Sequence, residues 1–202
     1  MLSLVLPKGS LEKATLELFD AADLTVRRSS DRDYHASIDD PRIERVRFLR
    51  PQEIPSYLER GLFDIGITGR DWITETGSSL RKNGLRILET LLTSYTELVA
   101  CPVSCADADK RAAMEDIALL LRGAIQARGN VLLKLNVAAD KLAAVTAMLP
   151  AMSSPTVTAL ANSGMNAVET VVPKRGVNTL IPALKAAGAH DILEIPISKI
   201  VE

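Results

Sequence analysis

The stretch SLVLPKGSLEKATLELFDAADL, residues 3–24, decides how the fold begins. Residues 3–7 are a short apolar run that stops at Pro-Lys-Gly. The segment after it places Leu11, Ala14, Leu18 and Phe19 at helical spacing. Ser10 precedes that apolar face and is expected to cap the helix N-terminus. Strand, tight loop and helix in this order open an α/β fold.

Working outward, SSDRDYHASIDDP (29–41) reads as a hairpin region or loop. IERVRFLRP (43–51) alternates as a strand that ends at Pro51. EIPSYLERG is a short helix closed by Gly61 at its C′ position. FDIGITG (63–69) is a buried strand feeding a glycine, RDWITETGSSLRKNG is a polar, Gly-containing segment, and residues 85–101 hold one or two strands. Composition changes after about residue 105. ADADKRAAMEDIALLLRGAIQARG (106–129) is an amphipathic helix with Gly129 as its stop. Strand NVLLKLNV, helix ADKLAAVTAMLP, a loop at Ser153–Pro155, strand MNAVETVVP, helix KRGVNTLIPALKAAGA and strand HDILEIPI complete the chain. That is a ferredoxin-like unit, two helices against an antiparallel sheet, with a leading helix. The boundary is expected near residues 102–108.

The 202 residues are 47% hydrophobic, which excludes a disordered chain. Lys+Arg is 24 and Asp+Glu 25, a net charge of −1, so no global field draws nucleic acid or an anionic membrane. Any anion must be held by a local site. At 3% aromatic residues, base-stacking platforms are not expected. No signal segment or membrane span is read, and the expected compartment is the cytoplasm. Cys101 and Cys105 are expected to be free thiols. Two ligands do not close a zinc site, and a disulfide stays open as the alternative. His35 and His190 read as ordinary surface histidines.

Four segments suggest chemistry, each with a plainer alternative. In PKGS (7–10), glycine lets the backbone approach a ligand, the helix start offers free N–H groups, and Lys8 adds a charge; this suits an anion, although many strand–helix turns look alike. FDIGITGRD (63–71) reads as a ligand-facing sheet edge flanked by Asp64 and Asp71, or as a plain strand with Gly66 there for close packing. Thr76, Gly77, Ser78 and Ser79 form a hydroxyl-rich loop that could cradle a phosphate, or a solvated turn. Arg50 ends a strand where it could reach a phosphate, whereas Arg45 and Arg47 alternate with Val46 and Phe48 as a solvated face.

Taken together, LPKGSLEKATLELFDAADL, FLRPQEIPSYLERGLFDIGITGRDWITETG and TGSSLRKNGLRILE resemble the long form of ATP phosphoribosyltransferase, the first enzyme of histidine biosynthesis. VLLKLNV, LPAMSSPTVTAL and NAVETVVPKRGVNTLIPALKAAGAHDILEIPISKI extend the resemblance over most of the chain. It implies a parallel-sheet domain of periplasmic-binding-protein type (1–105) followed by a ferredoxin-like, histidine-binding domain (106–202). In the family two such catalytic domains enclose the active site. Here GITGRDWITETG runs directly into GSSLRKNGLRILE, so the resemblance implies that most of domain two is deleted near 75–80.

The resemblance also implies roles. Lys8, Gly9, Ser10, Arg50, Asp64, Thr68, Gly69 and Asp71 would face ATP, with Ser10 where the family often has Arg. Thr76, Gly77, Ser78 and Ser79 would hold the 5-phosphate of phosphoribosyl pyrophosphate. The family's two acidic residues before that loop are absent: Trp72 and Thr68 stand at the matching offsets, and Asp71 and Glu75 are out of register. Asn136, Thr156, Thr158, Leu160 and Ala167 would bind histidine, the inhibitor. Mg²⁺ would accompany the reaction, and the assembly would be a homo-oligomer. No catalytic residue and no protein metal ligand are assigned. Two readings stay open: an enzyme whose turnover is impaired, or a non-catalytic histidine-binding remnant.

Overall fold

The computed structural model describes residues 1–76, 86–91, 96–150, 154–161 and 164–201, with the backbone alone for 86–90. It divides into two compact units, residues 1–125 with 201–202, and residues 126–200.

The first unit runs β1 (Leu2–Pro7), α1 (Glu12–Ala21), β2 (Val26–Arg27), β3 (His35–Ile38), β4 (Ile43–Leu49), α2 (Ile54–Glu59), β5 (Ile65–Gly69), α3 (Arg70–Glu75), β6 (Arg86–Leu91), β7 (Thr96–Ala100), α4 (Pro102–Ala106) and most of α5 (Ala108–Arg128). Its sheet has the order β2-β3-β4-β1-β5-β7-β6. The central strands β4, β1 and β5 are parallel; the flanking pairings are antiparallel. Both faces of β1 are covered, as expected of a central parallel strand. Leu2, Leu4 and Leu6 bury one face in a cluster with Leu18, Phe19 and the α5 residues Met114, Ile117 and Leu121. Val5 buries the other among Ile54, Leu58, Phe63, Ile73 and Val99. Each such side chain contributes about 1.5–3 kcal/mol by leaving water.

Gly66 is required by packing: a Cβ there would fall 2.5 Å from Val5 Cγ1 and 3.1 Å from the Val5 carbonyl oxygen. Gly61, at φ +71°, follows the cap of α2 as expected. Two expectations change. Residues 70–75, read as the start of a polar, Gly-containing segment with no helix assigned, form α3. Ser10 does not cap α1: the N-cap is Leu11 with no side-chain bond, and the Glu12 carboxylate accepts from the Gly9 N–H at 3.2 Å instead.

The division at 125/126 lies later than the composition change near 105. The reason is the apolar stripe of α5. Met114, Ile117, Ala118, Leu121 and Ala124 lie at helical spacing and join the core of the first unit.

The second unit runs β8 (Asn130–Ala138), α6 (Leu142–Thr146), β9 (Thr156–Ala159), β10 (Met165–Pro173), α7 (Val177–Ala186) and β11 (Ala189–Pro196). All pairings are antiparallel, in the order β11-β8-β10-β9. This is the ferredoxin-like arrangement. Val131, Leu133, Leu135 and Val137 face Val145 of α6 and Val177 and Leu184 of α7. Thr156 and Thr158, for which no strand was expected after the loop at Ser153–Pro155, lie on β9, an exposed edge strand.

Candidate nucleotide-facing edge and sheet-face site

In an open sheet, ligands sit beyond the carboxyl ends of parallel strands, where loops and helix starts converge. Lys8 follows β1, Arg50 follows β4, and Gly69 ends β5, so the parallel pairing places these residues on one edge. The Lys8 N–H donates to Leu49 O at 2.7 Å, which ties the first loop to the end of β4. The Lys8 ammonium lies 4.0 Å from the centre of the Tyr34 ring, a cation–π contact. Gly9 has φ +90°, which glycine adopts without strain. The Thr68 hydroxyl, fully buried, donates to Pro51 O at 2.8 Å and so anchors the residue after Arg50 to the end of β5. Arg50, Ser10 and Asp71 are exposed. Asp71 turns its carboxylate back over Gly69, where any Cβ would collide with it.

Asp64 is not at this edge. It precedes β5, roughly 16 Å from Gly69 at the rise of a strand, and faces inward. The Ser3 N–H and hydroxyl donate to its Oδ2 at 2.7 and 2.9 Å; the Ser104 hydroxyl and the Lys110 ammonium, at 2.6 Å, donate to Oδ1. Burial pushes the Asp64 carboxyl up, but the hydrogen bonds from Lys110, Ser104 and Ser3 outweigh it and hold the group below its ordinary value. Its place in this network makes Asp64 a brace between β1, β5, α4 and α5.

Thr76 ends α3, with its hydroxyl donating to Trp72 O at 2.7 Å. Gly77, Ser78 and Ser79 lie outside the described residues.

Two features of the edge were not legible in the sequence. Arg28 stacks over Phe48 at 4.9 Å and pairs with Glu12 at 2.7 Å and Asp31 at 3.1 Å, lacing the residue 28–31 loop to the start of α1. Arg70, quoted above within GITGRD without a role, pairs with Glu97 of β7. Of the three acidic partners, Asp31 alone, three residues from Arg28, is near enough in sequence for pattern reading to detect.

In the second unit the register lines up one row across the sheet. Thr158 opposes Ala167, Ala167 opposes Asn136, and Asn136 opposes His190. Strand alternation puts this row, with Thr156, on the face away from α6 and α7. Asn136 Nδ2 donates to Asp191 Oδ2 at 3.0 Å, and the Leu160 N–H to Met165 O at 2.9 Å. A cavity of this unit, about 710 Å³, lies elsewhere, between the ends of α6 and α7, and is lined by Met148, Leu149, Arg175, Thr179 and Leu180 among others. It contains none of the residues expected to bind histidine. Cys101 is buried and Cys105 half-buried, the two form no disulfide, and His35 and His190 are exposed. Among the described residues no group of three or more His, Cys, Asp or Glu could hold a metal, and no helix is long and apolar enough to cross a membrane.

Comparison with known proteins adds the following. The family described as "HisG, C-terminal domain" matches residues 127–199, and the family described as "ATP phosphoribosyltransferase" matches residues 50–76. A protein of Pelotomaculum thermopropionicum named ATP phosphoribosyltransferase is 35% identical over 290 aligned positions, covering 99% of each chain. Proteins of the same name from Solibacter usitatus and Chlorobium phaeovibrioides are each 34% identical, covering all of this chain and 99% and 98% of theirs. With 290 aligned positions and only 202 residues here, at least 88 positions face a gap in this chain. The ATP phosphoribosyl transferase (HisG:HisZ) complex from Thermotoga maritima is similar at a TM-score of 0.37 and 18% identity, over 96% of this chain and 83% of that one.

Proposed function

Because this chain belongs to the ATP phosphoribosyltransferase family, we propose that it acts in histidine biosynthesis by joining phosphoribosyl pyrophosphate to ATP. N1 of the adenine attacks C1 of the ribose, pyrophosphate leaves from the opposite face, and C1 inverts. Such a reaction needs positioning and charge stabilisation more than covalent chemistry. The observation that carries the reading is the shared edge of β1, β4 and β5, with Lys8, Arg50 and Gly69 at three neighbouring strand ends.

Lys8 and Arg50 meet the ATP phosphates; Gly9, Ser10, Thr68, Gly69 and Asp71 shape the backbone and polar surface beside them. Thr76, Gly77, Ser78 and Ser79 hold the 5-phosphate. Asp64 supports this edge from the far end of β5. Mg²⁺ enters with the phosphoribosyl pyrophosphate as part of the substrate. Histidine acts as inhibitor on the row formed by Asn136, Ala167 and Thr158, with Thr156 and Leu160 beside it. The working form is a cytoplasmic homo-oligomer, which covers the exposed edge strand β9.

The positions of the relatives that face a gap support the absence of most of a second catalytic domain. The test is a coupled pyrophosphate-release assay with Mg²⁺, ATP and phosphoribosyl pyrophosphate, run beside ATP titration of the purified chain. Release dependent on both substrates supports the transfer. ATP binding without release leaves a nucleotide-binding member of the family with no turnover, and no ATP binding removes the nucleotide reading.

A further inference from the structure

We propose that Arg70, braced by the buried carboxylate of Glu97, contacts a phosphate group of the nucleotide at the carboxyl edge of the sheet. The proposal rests on the nucleotide reading of that edge.

Glu97 is fully buried, whereas the Arg70 side chain is 52% exposed. Arg70 Nε donates to Glu97 Oε1 at 2.8 Å, and Nη2 lies 2.5 Å from the same oxygen. A carboxylate taken wholly out of water is costly unless a cation meets it, so the sequence carries this charge at a cost in folding. The place of the charge explains what it does. Glu97 opposes Thr68 across the β5–β7 ladder. Thr68 in turn holds Pro51 and, through it, the loop that carries Arg50. Glu97 therefore lies under the same edge as Lys8 and Arg50, and it fixes the guanidinium there.

The remaining guanidinium nitrogen, Nη1, has no partner among the described residues. The adjacent carboxylate of Asp71 turns over Gly69 and forms no ion pair with Arg70. A guanidinium fixed from beneath, permanently charged and presenting unused N–H groups, is suited to a phosphate oxygen. Fixing it beforehand removes side-chain entropy that binding would otherwise have to overcome. Lys8, by contrast, is already engaged by the Tyr34 ring and, at 3.4 Å, by Asp31 O. Glu97 makes no claim on substrate: it is a positioning residue acting through Arg70.

The experiment is calorimetric titration of the full chain and its R70Q, R70K, E97Q and R70Q/E97Q variants with ATP and with adenosine. R70Q is expected to lower ATP affinity about tenfold or more while adenosine affinity stays within about twofold, with R70K recovering part of the loss. E97Q is expected to lower ATP affinity too, and to add nothing in the R70Q background. Arg70 is half-exposed, so R70Q keeps the test alive if E97Q does not fold. An unchanged ratio of ATP to adenosine affinity in R70Q overturns the proposal and leaves the pair as a tie between α3 and β7. A wild-type chain that binds neither ligand overturns the nucleotide reading itself, which the ratio separates from failure of the Arg70 contact alone.

Discussion

Lys110 reaches Asp64 across 46 residues of sequence: its ammonium on α5 lies 2.6 Å from the Asp64 carboxylate at the head of β5. Ser104 of α4 and Ser3 of β1 complete the set. This network joins the strand that opens the chain to the helix that closes the first unit. Removing Lys110 (Lys110→Met) should destabilise the chain by about 2–3 kcal/mol, the worth of a hydrogen bond to a charged group in a sheltered place, read as a lowered denaturation midpoint. The pH dependence has a definite sign. The folded-state value of Asp64 lies below its ordinary 3.8, so the stabilisation is complete above that value and is lost as the pH falls through the lower, folded value. Asp64→Asn should therefore flatten the acid limb of the stability profile, and an unchanged limb would count against the assignment.

Gly66 lies against the backbone of Val5, with no room for a Cβ. Gly66→Ala should cost about 1–3 kcal/mol through overpacking between two central strands. Gly129→Ala, where a Cβ would meet nothing within 4 Å, is the control and should be close to neutral. Equal melting temperatures for the two variants would show that β1 and β5 separate easily, against the packing described.

Turnover should fall well below that of a relative with the additional aligned positions. A cleft with one catalytic wall cannot exclude water or fix the donor as two walls do, and loss of positioning of that kind costs about 100-fold or more. Steady-state pyrophosphate release by the purified chain, set beside the Pelotomaculum relative under one set of conditions, decides this. Comparable kcat values would mean that the donor is held by the first unit alone.

Histidine should raise the melting temperature at millimolar concentration. A ligand that binds only the folded state stabilises it by RT ln(1 + [L]/Kd), about 2.7 kcal/mol at 100 times Kd. Asn136→Ala should abolish the shift while leaving the unliganded melt nearly in place, since Asn136 lies on the sheet face turned away from the helices and its amide donates to an exposed carboxylate, that of Asp191. An equal shift with other amino acids, or none with histidine, would remove the inhibitor site from this face.

Local pattern was enough for much of the architecture because it depends on short-range periodicity. Apolar runs with Pro, Gly and helical spacing identified β1, α1, β4, β5, α5, β8 and β10, and the alternation of two helices with strands specified the ferredoxin-like unit. The Lys8, Arg50 and Gly69 edge was also legible, since each residue sits at the carboxyl end of a recognisable strand. Thr156 and Thr158 were not legible as a strand. Their four-residue segment is exposed throughout and exists only because β10 offers it an edge to pair with.

The sequence by itself determined the family, the order of the two units and the strand ends where charge gathers, because motifs and hydrophobic period are written in neighbouring residues. Tertiary structure alone decided which charged groups lie at that edge and which are tied into the interior. Asp64 reads like a site residue in FDIGITG, yet strand direction places it at the amino end, where Ser3, Ser104 and Lys110 converge on it. Arg70 carries no role in the sequence reading, yet antiparallel pairing of β7 on β5 places Glu97 beneath it. The physical reason is the same in both: the energy of a charge is set by what surrounds it in space, and those surroundings come from residues 27 to 61 positions away.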